Sequence, residues 1–270
     1  MTTAELYTLL ELPEEVVLRL CSCAEEDYSW LTDDIISHYL SRPTAQEALE
    51  EIQSRLGEDP DGFRLLYLLL ETARNTWEGY VRKGISLEIF RATMSFVPRF
   101  LRTHLEQHGR YAFVWGGWFW RELAMEEYRI DCMEYELVTT PDGSREVQLH
   151  IPSDADLSPA SLDGSFAACR AFLKEYYPDW TEVRWYCDSW MMSPALPHLL
   201  PEGSNILAFQ RRFDMLSCHE DSLGVLDWVC PHHREVSAAL PETTSLQRRM
   251  KAWLLAGNKV GWTKAILREE

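Results

Sequence analysis

Hydrophobic residues recur at three- and four-residue steps from the N-terminus to about residue 110, and at every second position from residue 131, so the chain predicts a helical part followed by a part that contains strands. Val16, Val17 and Leu20 follow Pro13, Glu14 and Glu15, whose fixed φ and negative charges suit a first helical turn. A second helix is expected from near Asp33, as cap, to Leu40, stopping before Arg42-Pro43 because a residue ahead of proline is pushed out of the helical region. Thr44 stands three before Glu47, the capping-box spacing, and opens a helix carrying Ala48, Leu49 and Ile52 that Gly57 ends. Asp59-Pro60-Asp61-Gly62 reads as a turn, after which Leu66, Leu69, Leu70, Ala73, Trp77 and Tyr80 form one face of a long helix closed by Gly84. Another runs from Ser86 through Phe90, Met94, Val97, Leu101 and Leu105 to Gly109, with a kink expected at Pro98. No catalytic-looking polar set is gathered by these helices, which read as a packed bundle.

The texture changes at 111–120, YAFVWGGWFW. Gly116-Gly117 predicts a sharp reversal, and Trp118 to Glu127 resumes helical character. The domain boundary is placed near residue 113, giving an α-helical domain over 1–113 and a second domain over 114–270. From Asp131 the period is two: Met133, Tyr135 and Leu137 on one face, Glu134 and Glu136 on the other, a turn at Pro141-Asp142-Gly143-Ser144, then Val147, Leu149 and Ile151 on the return. Ser158-Pro159 starts a helix that ends at Tyr177 before Pro178. A strand at Val183–Trp190, a short helix after Pro194, strands at Ile206–Phe213 and Leu223–Val229, a helix at Thr244–Ala256 and a terminal strand at Gly261–Leu267 complete the expected order, and with it an α+β class.

Charge and composition narrow the function. Asp and Glu outnumber Lys and Arg by 43 to 26, a formal charge of -17 in 270 residues, so the long-range field repels polyanions and no nucleic-acid partner is expected. The longest apolar run, Leu65–Leu70, is far short of the roughly 20 residues that span a bilayer, so no membrane partner is expected either. The N-terminus lacks the positive region and apolar core of a signal peptide, and seven scattered cysteines fit a reduced, cytoplasmic compartment.

The order of hairpin, helix, strand, short helix and strands, together with QLHIP at 148–152, CDSW at 187–190 followed by Ser193-Pro194, and SNILAFQRRF at 204–213, resembles a two-domain family of GNAT-like acyltransferases with a helical N-terminal domain. The resemblance implies a mixed α/β C-terminal domain in which an acetyl-CoA or other acyl-CoA thioester inserts between the strand ending at Ile151 and the strand through Val183–Trp190. It implies that the cofactor's pyrophosphate meets the start of the following helix, here the loop holding Ser153, Ser158 and Ser161. A helix N-terminus offers unpaired N–H donors and partial positive charge to an anion in any fold. This chain differs from the family at that loop: where GNAT enzymes carry Arg/Gln-x-x-Gly-x-Gly/Ala it reads SDADLSPAS, and Asp154 and Asp156 oppose a pyrophosphate. The family also carries a strand ahead of the hairpin, for which Tyr111–Trp115 is the candidate.

Acyl transfer needs a base for the attacking amine or hydroxyl and a donor for the developing oxyanion. His150 ends the hairpin strand on the face of Gln148, and histidine is the side chain that can act as a base near neutral pH, which makes it a candidate base; the competing role is a hydrogen-bonded structural histidine. Strand alternation sets Val183, Trp185, Cys187 and Ser189 opposite Arg184, Tyr186, Asp188 and Trp190, so Asp188 and Ser189 point to different faces. Asp188 is a second candidate base or else an ion-pair partner, and Asn205 a substrate donor or a loop anchor. Cys187 is a candidate nucleophile but reads first as a buried hydrophobe. Gln210 and Arg212 share a face that either meets an anion or is solvated. Cys218-His219 and Cys230-Pro-His232-His233 offer zinc-type ligands, but adjacent Cys218 and His219 make a tetrahedral site awkward, and no metal is assigned. The function expected is transfer of an acyl group from an acyl-CoA to a small-molecule acceptor by way of His150, Asp188, Ser189 and Asn205. The alternative is a GNAT-fold ligand-binding or interaction protein that has lost CoA binding.

Overall fold

The computed structural model describes residues 1–268, which form two compact units that part after Ile130; the sequence pattern places its boundary near residue 113.

The first unit holds α1 (Thr3–Leu9), α2 (Glu14–Cys23), α3 (Asp33–Tyr39), α4 (Ala45–Leu56), α5 (Phe63–Lys83), α6 (Leu87–Met94), α7 (Phe96–His108), α8 (Gly116–Leu123) and a short strand β1 (Glu127–Ile130). Local chemistry sets the helix ends. Ser86 Oγ accepts the Ile89 N–H at the start of α6, while α3 is capped by Thr32, not Asp33. Thr44 is the N-cap of α4 but makes no capping box, because its hydroxyl donates to the His38 carbonyl at 2.7 Å. The first turn of α5 is held by Asp59, whose carboxylate accepts the Arg64 and Leu65 N–H groups at 3.3 and 2.9 Å. The kink expected at Pro98 is a break between α6 and α7 at Ser95, since Pro98 has no N–H for the Met94 carbonyl. Leu66, Leu69, Leu70, Ala73 and Tyr80 of α5 are fully buried, as their spacing requires.

Two expectations around residues 111–130 change. Gly116-Gly117 makes no reversal, and neither residue has a positive φ. The pair starts α8 against its neighbours: a Cβ on Gly116 would lie 2.8 Å from a Leu65 methyl, and the Tyr39 hydroxyl donates to the Gly116 carbonyl at 2.6 Å. Tyr111–Trp115 forms no strand, whereas Glu127–Ile130 does, its Arg129 N–H donating to Thr93 Oγ1 at 3.1 Å. Four residues are too few to display a period.

The second unit contains β2 (Met133–Thr139), β3 (Arg145–His150), α9 (Pro159–Tyr176), β4 (Arg184–Ser189), α10 (Leu196–Leu199), α11 (Asn205–Gln210), β5 (Phe213–His219), α12 (Val225–Val229), α13 (Ser245–Leu255) and β6 (Trp262–Leu267). Its strands run in the order β2-β3-β4-β6-β5, with β3 and β4 parallel and the other neighbours antiparallel. The β2–β3 hairpin is the one its alternation predicts, and α9 is the crossover that a parallel β3–β4 pair needs. This helix covers the apolar face of the sheet. Tyr135 Oη and Ser165 Oγ are 2.8 Å apart, and Trp185 meets both Tyr135 and Phe166 edge to face. Each large side chain buried there contributes about 1.5–3 kcal/mol.

The strands expected at Ile206–Phe213 and Leu223–Val229 are corrected. The first is α11 followed by β5, and the second is α12, whose Val225, Leu226 and Val229 bury at helical spacing. Short apolar runs bury equally well in either form. These helices join Trp190, Leu196, Cys230 and Met250 in a second core. No helix among the described residues is long and apolar enough to cross a membrane.

Candidate functional site

The parallel pair β3 and β4 is in register from Glu146 opposite Arg184 to Leu149 opposite Cys187, and pairing stops there. Pro152, which has no N–H to continue a ladder, leads β3 into a loop, whereas β4 runs on to Ser189 and a single 3₁₀ turn at Trp190–Met192. Two parallel strands thus end side by side without pairing to each other beyond Leu149 and Cys187, at the carboxyl ends where open α/β sheets bind ligands.

Register decides which side chains meet. Glu136, Gln148 and Tyr186 lie opposite one another across three strands, so His150 and Asp188, each two residues further, share that face at the fork. His150 Nε2 is 2.7 Å from Glu136 Oε2; the Glu136 side chain is 4% exposed and that of His150 20%. Glu136 is diagonal to His150, whose direct partner across the hairpin is Glu134. The contact sets a buried carboxylate against the imidazole and fixes the ring, the arrangement of an oriented base. Asp188 is exposed and has no hydrogen bond or ion pair among the described residues. Beside it Lys264 reaches Glu146 at 3.4 Å and lies 4.6 Å from the Tyr186 ring centroid, and Gln148 donates to the same Glu146 at 2.7 Å.

Ser189 and Asn205 do not join this group. Ser189 faces the other side of the sheet, where its Oγ accepts the Met191 N–H at 3.1 Å and starts the 3₁₀ turn. Asn205 is the exposed first residue of α11. Glu136 is the member that the sequence reading did not single out; its signal was the alternation of Glu134 and Glu136 opposite a strand ending in histidine.

The loop after β3 carries half-buried Ile151, exposed Ser153 and then Asp156, Ser158 and Ser161. Ser158 is the N-cap of α9, yet its side chain caps nothing. Asp156 instead ties the serines together, accepting the Ser158 N–H at 2.9 Å and the hydroxyls of Ser158 and Ser161 at 3.0 and 2.7 Å. These donors, the Ser158 N–H first, hold the Asp156 carboxyl below its ordinary value. The serines of the loop therefore address a carboxylate of their own chain at the place where an incoming anion would meet the helix.

The remaining candidates are structural. Cys187 is fully buried and its burial pushes the thiol up, which removes the thiolate a nucleophile needs. Gln210 is buried and donates to the Ser193 and Met191 carbonyls at 2.7 and 3.4 Å, fixing the segment after β4. Arg212 pairs with Asp163. Cys230 is a fully buried member of the second core.

Residues 90–267 match the family model of the GNAT-like C-terminal domain, and residues 1–125 that of the N-acyltransferase N-terminal domain. Among solved structures, the fold is similar to an acyltransferase in complex with decanoyl-CoA and teicoplanin at a TM-score of 0.78 and 22% identity, covering 98% of this chain and 87% of that one. It is also similar to an acyltransferase mutant in complex with octanoyl-CoA, at a TM-score of 0.79 and 22% identity over 99% and 88% of the two chains. An acyltransferase in complex with decanoyl-CoA matches at a TM-score of 0.71 and 18% identity over 100% of both chains. No curated protein sequence matches the chain.

Proposed function

We propose a reaction for this chain, which belongs to the family of GNAT-like N-acyltransferases: it moves an acyl group from the thioester of an acyl-CoA to a nitrogen of a small-molecule acceptor. The observation that carries the reading is the fork at the ends of β3 and β4, with His150 held by Glu136 and unpaired Asp188 on the same face. The pantetheine arm would enter the fork, and the acyl chain would be long, since the similar acyltransferases bind decanoyl-CoA and octanoyl-CoA. The His150 imidazole would take the proton as the acceptor nitrogen attacks the thioester carbonyl, and the Glu136 carboxylate would stabilise the imidazolium that forms. Asp188 would hold a cationic or hydroxylated acceptor, which the chain's net charge of -17 would attract. Ile151, Ser153, Ser158 and Ser161 remain the proposed cofactor-binding residues of the loop, whereas Ser189 and Asn205 take positioning roles.

Seven unpaired cysteines support a reducing, cytoplasmic setting. Residue 113, inside the overlap of the two matched spans, is the proposed joint between the two domains. Calorimetric titration of the whole chain with acetyl-, octanoyl- and decanoyl-CoA tests the donor: one-to-one binding that tightens with chain length is expected, and absence of binding to all three refutes it. The second reading, a GNAT-fold protein without catalysis, draws on the Asp156 carboxylate set among the serines of the loop. Under that reading Asp156→Asn changes no CoA affinity, because no CoA approaches.

A further inference from the structure

On the polar face of the sheet the ladder sets two opposite charges against each other twice. Glu146 of β3 stands opposite Arg184 of β4, and Asp188 of β4 stands opposite Lys264 of β6. Residues directly opposite project from the same face, with their Cβ atoms about 5 Å apart, which suits a cross-strand ion pair. Neither pair forms among the described residues, and Arg184 and Asp188 are both exposed. Instead Lys264 crosses β4, and its Nζ lies 3.4 Å from Glu146 Oε1.

The neighbours explain the choice. The Glu146 side chain is 13% exposed, so water screens its charge less than that of exposed Asp188, and it attracts a cation more strongly. The Tyr186 ring lies under the ammonium, its centroid 4.6 Å from Nζ. Gln148 Nε2 donates to the same Oε1 at 2.7 Å and fixes the carboxylate. The lysine that register assigns to Asp188 is thus held two strands away, and Asp188 stands at the fork with no ion pair among the described residues.

We propose that Glu146 is a positioning residue for the acceptor: by holding Lys264 away from Asp188 it keeps that carboxylate open, and the site thereby selects an amine that carries a second, cationic group. The inference rests on the reading that Asp188 faces the acceptor, and it adds a residue that acts on specificity without touching either substrate. With Lys264 on Asp188, the carboxylate would be neutralised and the lysine ammonium would repel a cationic acceptor. The nitrogen that attacks the thioester needs its lone pair and is therefore unprotonated, so the cation on Asp188 is a different group of the same molecule. His150 and Asp188 follow the last paired residues, Leu149 and Cys187, on adjacent strands, so a compact diamine with its nitrogens a few carbons apart spans the two.

The test has two arms on the full chain: the Kd of 1,4-diaminobutane by calorimetry without donor, and release of the CoA thiol from decanoyl-CoA with 1,4-diaminobutane or 1-aminobutane, which lacks the second cation. The wild type is expected to use the diamine with a kcat/KM about fivefold or more above that for the monoamine. Glu146→Gln releases Lys264 to its cross-strand partner. It is expected to weaken diamine binding about three- to tenfold, to raise the diamine KM to match, and to erase the preference. Adding Lys264→Gln removes the competing cation and is expected to restore both, which no loss of folding would allow. Asp188→Asn is expected to remove the preference in every background. Wild-type diamine affinity in Glu146→Gln, or a loss that Lys264→Gln does not restore, overturns the role of Glu146. Equal use of the two amines by the wild type, or diamine affinity unchanged by Asp188→Asn, overturns the acceptor class. If decanoyl-CoA releases no thiol with either amine, the acyl-transfer reading is what fails, and the calorimetric arm still decides whether Glu146 holds Lys264 off Asp188.

Discussion

Replacing Glu136 by Gln keeps the shape of the side chain and one acceptor oxygen and removes its charge, so it tests what the carboxylate does for His150. Two unit charges 2.7 Å apart interact by about 6 kcal/mol at an effective dielectric of about 20. Desolvation of a carboxylate only 4% exposed offsets part of that, leaving about 3–4 kcal/mol of support for the imidazolium formed during proton transfer. Glu136→Gln should therefore lower the rate of acyl transfer by about 10²–10³ and His150→Ala by about 10²–10⁴. Because the role given to the carboxylate runs through the ring, the double variant should be no slower than His150→Ala alone. The assay is single-turnover release of the CoA thiol from decanoyl-CoA, in water and with a panel of primary amines, across pH 5–9. A loss below about threefold for Glu136→Gln would refute the role given to the pair, as would losses that multiply in the double variant.

Three further outcomes are expected. Gly62→Ala should destabilise the first unit by about 2–4 kcal/mol in denaturant unfolding, because Gly62 has a φ of +67° and a Cβ there would stand 2.0 Å from the Phe113 carbonyl oxygen. Cys187 should resist alkylation at pH 8 while the chain is folded, since burial pushes its thiol up, and Cys187→Ala should retain acyl transfer within about threefold. The Asp156 carboxyl is held low by the Ser158 N–H and the Ser161 and Ser158 hydroxyls, so its contribution to the loop is fully present above the ordinary carboxylate pKa of about 3.9 and is lost as pH falls through the lowered folded value. Asp156→Asn should remove that acid dependence, followed by NMR of the loop, and should tighten decanoyl-CoA binding by removing a negative charge beside the pyrophosphate.

Much of the fold is legible because single residues carry local physics. Gly57, Gly84 and Gly109 end their helices as C-caps with positive φ, and Ser158-Pro159 starts α9 where expected. The β2–β3 register follows from alternation alone, and it places His150 at a strand end. Legibility fails where burial is independent of period. Short apolar runs such as Ile206–Phe209 pack equally well as a turn of helix or a strand, and only the tertiary neighbours of Leu207 and Phe209 decide for α11. Thr44 shows a second limit, since a capping-box spacing cannot foresee that the His38 carbonyl competes for the hydroxyl. The site was half readable for a similar reason. His150 and Asp188 stand at strand ends in the sequence, but that β3 and β4 are parallel neighbours, and that Glu136 reaches diagonally to His150, are long-range facts.

The most direct test of the account is amide hydrogen exchange of the full chain with and without saturating decanoyl-CoA. A thioester seated in the fork should slow exchange at 151–161, the loop and first turn of α9, and at 187–191, the end of β4 and the turn after it, while leaving the hairpin turn at 140–144 unchanged. Decanoyl-CoA that binds without slowing exchange in either segment would contradict the placement of the site.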